Sequence, residues 1–148
     1  KAEKVDELPY KSKSSPVPHY DIAVGVIWNG DKVLIGKRKE SQMLGGLWEF
    51  PGGKREQNED LTKTVLREIK EETDLTVRLG DCFCKVKHAY SHFKITLHAY
   101  HCFYVSGSPL PKSADQLCWV DVKDLEKYPF PKANKKVLEA MNCINVKS

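Results

Sequence analysis

The sequence predicts an α/β fold: an α/β/α sandwich built on a mixed β-sheet. Three observations lead there. Short apolar runs with strand character recur along the chain, a single segment of helical period sits in the middle, and a second closes the chain. Strands distributed around one central helix, with another helix at the end, bury their apolar faces best as a sheet covered on both sides.

The elements follow in order. Residues 1–20 (KAEKVDELPYKSKSSPVPHY) are rich in Lys, Ser and Pro, lack periodicity and read as a linker, leaving 21–148 as one folded domain. Residues 21–28 (DIAVGVIW) read as a buried strand, Asn29-Gly30-Asp31 as a hairpin turn and 32–38 as the returning strand. A loop with Gly45-Gly46 leads to a short strand at Trp48-Glu49-Phe50, ended by Pro51. Leu61, Val65, Leu66 and Ile69 recur at helical spacing and predict a helix over 60–73. Residues 75–86 and 93–105 read as two longer strands, 107–112 as a Pro-rich loop, 118–122 as a short strand and 131–141 as a closing helix opened by proline.

At 148 residues, 41% hydrophobic and 30% charged, the chain is an ordinary globular domain, and no apolar run approaches the ~20 residues that span a bilayer. A net charge of +4 permits contact with phosphates or nucleic acid without demanding it. Five cysteines without framework spacing point to reduced thiols, a cytosolic setting and no disulfide scaffold. Lys1 stands where an initiator Met is expected, so a longer parent chain is anticipated.

The chemistry concentrates in Arg67-Glu68-Ile69-Lys70-Glu71-Glu72. On a helix Glu68, Glu71 and Glu72 share one face at i, i+3 and i+4, while Leu61, Val65 and Ile69 form another. Three like charges on one patch repel. A hard divalent cation relieves that repulsion through carboxylate oxygens, although a solvated Lys/Glu face is the plainer reading of such a hexapeptide taken alone. Upstream stands Phe50-Pro51-Gly52-Gly53-Lys54, whose glycines allow tight turning and bring carbonyls close to a metal or phosphate.

The spacing Gly53, five residues, Glu59, seven residues, Arg67-Glu68-Ile69, one residue, Glu71-Glu72, one residue, Asp74-Leu75 resembles the Nudix box of Mg²⁺-dependent hydrolases. The resemblance implies a Nudix-type α/β/α sandwich. It also implies Mg²⁺ or Mn²⁺ held by Glu68, Glu71, Glu72 and the Gly52 carbonyl, with one glutamate able to act as base and Arg67 orienting Glu59. Asp74 departs from the family's Gly at a position just past the helix end, where Asp tolerates the left-handed conformation. The opening IAVGVIW…KVLIGKR, LWEFPGGK and the late PFPKANKKVLEAM are similar to the MutT branch, which hydrolyses oxidised guanine nucleotides. That likeness makes Asn134 a reader of 8-oxoguanine. MutT-like enzymes add an acidic residue from a late loop. Here the loop offers only Asp115, which predicts little hydrolysis of 8-oxo-dGTP.

A competing resemblance lies in residues 86–101 (VKHAYSHFKITLHAYH). It looks like the lesion-reading segment of MutY-type adenine DNA glycosylases, whose C-terminal domain is MutT-like. On that reading Tyr90 wedges between bases, Ser91 addresses the N7–H and O8 edge, and Lys87, His88, His92 and Lys94 meet phosphates. The partner is double-stranded DNA carrying 8-oxoguanine opposite adenine. Glycosylase catalysis and an iron–sulfur cluster then fall in a missing N-terminal part, no glycosylase residue lies in this chain, and the setting is bacterial, cytoplasmic and nucleoid-associated, with a monomeric protein. The sequence thus leaves two function classes: a lesion-recognition domain of an adenine glycosylase, and a free-standing MutT-type 8-oxo-dGTP pyrophosphohydrolase using Arg67, Glu68, Glu71 and Glu72.

Overall fold

A computed structural model describes residues 17–147, with side chains through residue 142. Most of the expected linker, residues 1–16, and the side chain of Cys143 therefore lie outside what is described. The first strand, β1 (His19–Asn29), starts two residues before the anticipated boundary, because His19 and Tyr20 pair in parallel with Lys94 and Ile95. Then follow β2 (Lys32–Lys37), β3 (Trp48–Glu49), β4 (Gly52–Lys54), α1 (Leu61–Thr73), β5 (Thr76–Ala89), β6 (Lys94–Ser106), β7 (Gln116–Asp121), a 3₁₀ turn (Val122–Lys127) and α2 (Lys132–Lys147).

These strands form one mixed sheet in the order β3-β2-β1-β6-β5, with β4 paired to β1 and β7 to β2. β1 is central. One edge runs parallel to β6 over ten residue pairs, from His19↔Lys94 to Trp28↔Phe103. The other edge is shared, β4 taking Ile22 to Val24 and β2 taking Trp28 and Asn29. Gly30 has φ +63° in the turn between β1 and β2, a conformation that favours glycine.

Burial explains why β1 reads as a continuous apolar run and not as an alternation. Ala23 and Ile27 pack with Val65, Ile69, Leu75 and Cys102 beneath α1. Val24 and Val26 point to the other face and join Phe50, Leu97, Ala99, Val137 and Met141 beneath α2. Two cores on opposite faces of one sheet make the predicted α/β/α sandwich. Val65 and Ile69 of the expected docking face are buried, joined by Thr64 and Thr73, while Leu66 is 38% exposed. Among the described residues no helix is long and apolar enough to cross a membrane.

Candidate active site

Helix α1 is defined by its two ends. Asp60 caps the start, its carboxylate accepting from the Thr62 amide at 3.0 Å. Asp74 ends it with φ 65° and ψ 16°, the left-handed conformation expected at this departure from the motif, and its N–H returns to the Lys70 carbonyl. Glu71 and Glu72 therefore occupy the last turn, where the helix dipole disfavours negative charge.

Arg67 organises the outer half of the acidic face. Its Nε and Nη2 grip Glu59 at 2.7 and 2.9 Å, the predicted pairing, and its Nη1 reaches Glu68 at 2.9 Å and Glu71 at 3.2 Å. The Arg67 guanidinium, together with the Glu56 amide, holds the Glu59 carboxyl down to about 2. Glu59 in turn keeps Arg67 charged well above the usual guanidinium range.

The three glutamates therefore do not act as one patch. Glu68 and Glu71 turn to Arg67, and Glu71 stays 59% exposed. Glu72 turns inward, accepting from the Gly52 amide at 3.1 Å. Among the described residues no three His, Cys, Asp or Glu side chains converge as a ligand set. Arg67 draws Glu68 and Glu71 towards itself, and Gly52 meets Glu72 through its N–H.

Gly52 and Gly53 are not the turn that their sequence suggested. They form β4, pairing with Val24 and Ala23, and neither has positive φ. What requires glycine is proximity. A Cβ on Gly52 would collide with the Ala23 carbonyl, and one on Gly53 with the Glu68 carboxylate.

Glu49 is the residue that sequence reasoning missed. It stands on β3, bridged by Arg38 Nη1 at 3.0 and 3.1 Å to its two oxygens. Burial raises its carboxyl, and Arg38 opposes the rise. Burial also pushes Glu72 up to about 8, against the Gly52 N–H and with help from the neighbouring Glu49 and Glu68 charges. Glu68 is raised by burial as well, with Arg67 opposing. The signal available beforehand was a lone carboxylate in the otherwise apolar Leu47-Trp48-Glu49-Phe50. The donors here are all oxygens, and burial and mutual repulsion penalise their charge. That chemistry fits a hard divalent ion.

Two cavities meet at Glu49, Glu72 and Arg38. The larger is a cleft of about 500 Å³ running from these side chains past Gly52 and Lys54 to Phe50, Tyr90, Phe93 and Asn134. The smaller, about 60 Å³, is lined by these three side chains together with Gln42, Ser113 and Ala114. Asp115, the expected late carboxylate, lines neither cavity. Its amide bonds the Lys37 carbonyl at 2.8 Å and the residue is exposed.

Asn134 is 8% exposed and its Oδ1 accepts from the Phe50 amide at 3.4 Å. The segment around Tyr90 is a tight turn between β5 and β6, closed by the Tyr90 amide on the Phe93 carbonyl at 2.8 Å. Tyr90 lines the cleft and packs against His88 and Phe93, with ring centroids 4.6 and 4.8 Å away. Ser91 and His92 are exposed at the tip and line neither cavity. Lys87, His88 and Lys94 line a separate open hollow of about 570 Å³ with His19 and Thr96. Two further histidines of this stretch serve packing: His98 is bonded to Asp21 at 3.0 Å, and His101 is stacked on Phe83 at 4.1 Å.

The NUDIX domain family matches this chain over residues 23–140. The chain belongs to the Nudix family. An 8-oxo-dGTP diphosphatase from Buchnera aphidicola is 31% identical over 118 residues, covering 80% of this chain and 89% of the relative. A CTP pyrophosphohydrolase from Escherichia coli is 28% identical over 124 residues, covering 84% and 92%. The crystal structure of the MutT protein from Methanosarcina mazei Go1 superposes with a TM-score of 0.79 at 26% identity, covering 89% of this chain and 99% of that one. These comparisons overturn the expectation of an adenine glycosylase whose chemistry lies outside the chain. The relatives that these residues match over nearly their whole length carry the names of nucleotide hydrolases.

Proposed function

We infer that this Nudix protein hydrolyses an oxidised guanine nucleoside triphosphate of the 8-oxo-dGTP type with a divalent cation. The observation that carries the reading is one continuous cleft, with the carboxylates of Glu72 and Glu49 at one end and the buried amide of Asn134 at the other. Its volume of about 500 Å³ accommodates a nucleotide. The names of the relatives from Buchnera aphidicola and Escherichia coli support a nucleoside triphosphate, the first an oxidised guanine.

Glu68 and Glu72, with Glu49 beside them, would hold Mg²⁺ or Mn²⁺. The ion supplies neutralisation of phosphate charge and activation of water. Arg67 fixes Glu59, Glu68 and Glu71 so that they do not rearrange when the cation arrives. Lys54, whose Nζ sits 4.1 Å over the Tyr20 ring, is placed in the cleft to meet a phosphate. Asn134 spends its oxygen on the Phe50 amide and keeps its NH₂ for the base edge, between the walls made by Phe50 and Phe93.

Pyrophosphate release from 8-oxo-dGTP in Mg²⁺ tests this. Glu72→Gln is expected to lower turnover by on the order of a hundredfold or more. Absence of turnover with 8-oxo-dGTP and CTP alike in the wild-type protein sinks the reading.

A second reading, in which the same cleft meets 8-oxoguanine held in double-stranded DNA opposite adenine, is favoured by the hollow of Lys87, His88, Lys94 and His19 beside the Tyr90 turn. Those side chains suit a phosphodiester backbone. Equal affinity for duplexes with and without the lesion excludes it.

A further inference from the structure

The segment Ser108-Pro109-Leu110-Pro111-Lys112 has no part in the reading above. Proline has no N–H and fixes φ, and a residue before proline is driven to extended backbone. Within 109–112, Leu110 and Lys112 alone therefore keep donors, two residues apart. Both are spent on the carboxyl end of α1: the Leu110 amide reaches the Thr73 carbonyl at 3.0 Å and the Lys112 amide the Glu72 carbonyl at 3.3 Å. These are helix-end carbonyls that have no partner inside the helix.

The segment is anchored on both sides. Tyr104 donates its hydroxyl to the Gly107 carbonyl at 2.7 Å, and Gly107, at φ +104°, lies where a Cβ would come within 3.1 Å of the Asp74 carbonyl. Lys112 Nζ approaches Asp74 at 3.5 Å. Downstream, Asp115 ties the chain to β2 through the Lys37 carbonyl. Between the anchors, Ser113 and Ala114 line the small cavity that Glu49 and Glu72 also line. Leu110 is 51% exposed, so backbone donors and not side-chain burial hold it here. The Glu72 carboxylate itself accepts a single N–H, from Gly52 at 3.1 Å, and its place depends on where the last helical turn is held.

We propose that Leu110 and Lys112 are positioning residues, whose backbone N–H groups fasten the last turn of α1 and set the Glu72 carboxylate for the cation. The kinetic arm of the test rests on the hydrolase reading, and the metal-binding arm does not.

Leu110→Pro deletes one donor while keeping the extended backbone that Pro111 already imposes, and Lys112→Pro deletes the other. Each is expected to raise the Mn²⁺ dissociation constant measured by calorimetry about fivefold, the worth of one hydrogen bond. Turnover should fall by a similar factor with KM within about twofold. Leu110→Ala, which keeps the N–H, should restore both. Unchanged Mn²⁺ affinity in proline variants that melt as the wild type does, or an equal loss in Leu110→Ala, overturns the proposal. If neither proline variant folds, the joint Pro109→Ala and Pro111→Ala change loosens the strap with both donors kept. It must then weaken Mn²⁺ binding, and wild-type affinity there overturns the proposal. A wild-type protein that binds Mn²⁺ without hydrolysis refutes the hydrolase reading and leaves the affinity comparison decisive.

Discussion

The two ends of the cleft are built by opposite means. At the α1 end, charged groups are held by charge-assisted hydrogen bonds, five of them from Arg67 and Arg38 to carboxylates at 3.1 Å or less. At the Asn134 end, Phe50, Tyr90, Phe93 and Leu97 make apolar walls, and one buried amide is the polar feature. The first end stores electrostatic stress that a cation would relieve, and the second offers shape plus a directed hydrogen bond. Charge should therefore govern the response to metal and pH at one end, and geometry should govern base choice at the other.

The largest effect should come from breaking the charged end at its organiser. Arg67→Ala leaves Glu59 without its main partner and frees Glu68 and Glu71 to spread. Turnover should fall on the order of a hundredfold, because catalytic groups displaced by about 1 Å lose that much. The melting temperature should drop as well. An activity loss below about threefold would show that Arg67 is not the organiser.

A comparable effect should appear with pH. Cation binding needs ionised Glu72, whose carboxyl is raised to about 8. At pH 6 roughly 1% of that group is ionised, so Mn²⁺ affinity should be about a hundredfold weaker than at pH 9. Without metal the sign for stability is reversed. Folded Glu72 keeps a proton that the unfolded chain, near 4.5, has lost, so its contribution falls as pH rises from 4.5 towards about 8. Glu59 behaves oppositely: its folded carboxyl is depressed from 4.5 to about 2, so its contribution is present above 4.5 and is lost as pH falls through that window. Calorimetric titrations with Mn²⁺ at the two pH values, and melting curves in chelator, check both signs.

Smaller effects belong to the base end. Asn134→Ala should reduce the preference for 8-oxo-dGTP over dGTP by about tenfold, the scale of one buried hydrogen bond, and leave Mn²⁺ affinity unchanged. The smallest should come from Tyr90→Ala with Ser91→Ala. Tyr90 contributes wall area and Ser91 is exposed outside the cleft, so discrimination between the two nucleotides should shift by only about two- to threefold. If the double change instead abolishes discrimination between 8-oxoguanine and guanine duplexes, the DNA-held base becomes the better account of this turn.

By itself the sequence determined what depends on residues a few positions apart. The i, i+3, i+4 spacing in α1 and the left-handed ending at Asp74 are local to one helix, where periodicity and spacing are direct guides to geometry, and the family resemblance added the Arg67–Glu59 pairing. The continuous apolar β1 likewise announced a strand buried on both faces. Tertiary structure alone decided which carboxylates face one another. Glu49 meets Glu72 across 23 positions, Asn134 reaches Phe50 across 84, and Gly52 and Gly53 prove to be a strand pressed against Ala23 and Glu68. Sheet register and the stacking of layers set these contacts, and neither leaves a trace in local periodicity. The same holds for the histidines after Tyr90: the partner strands turn His98 and His101 into packing residues.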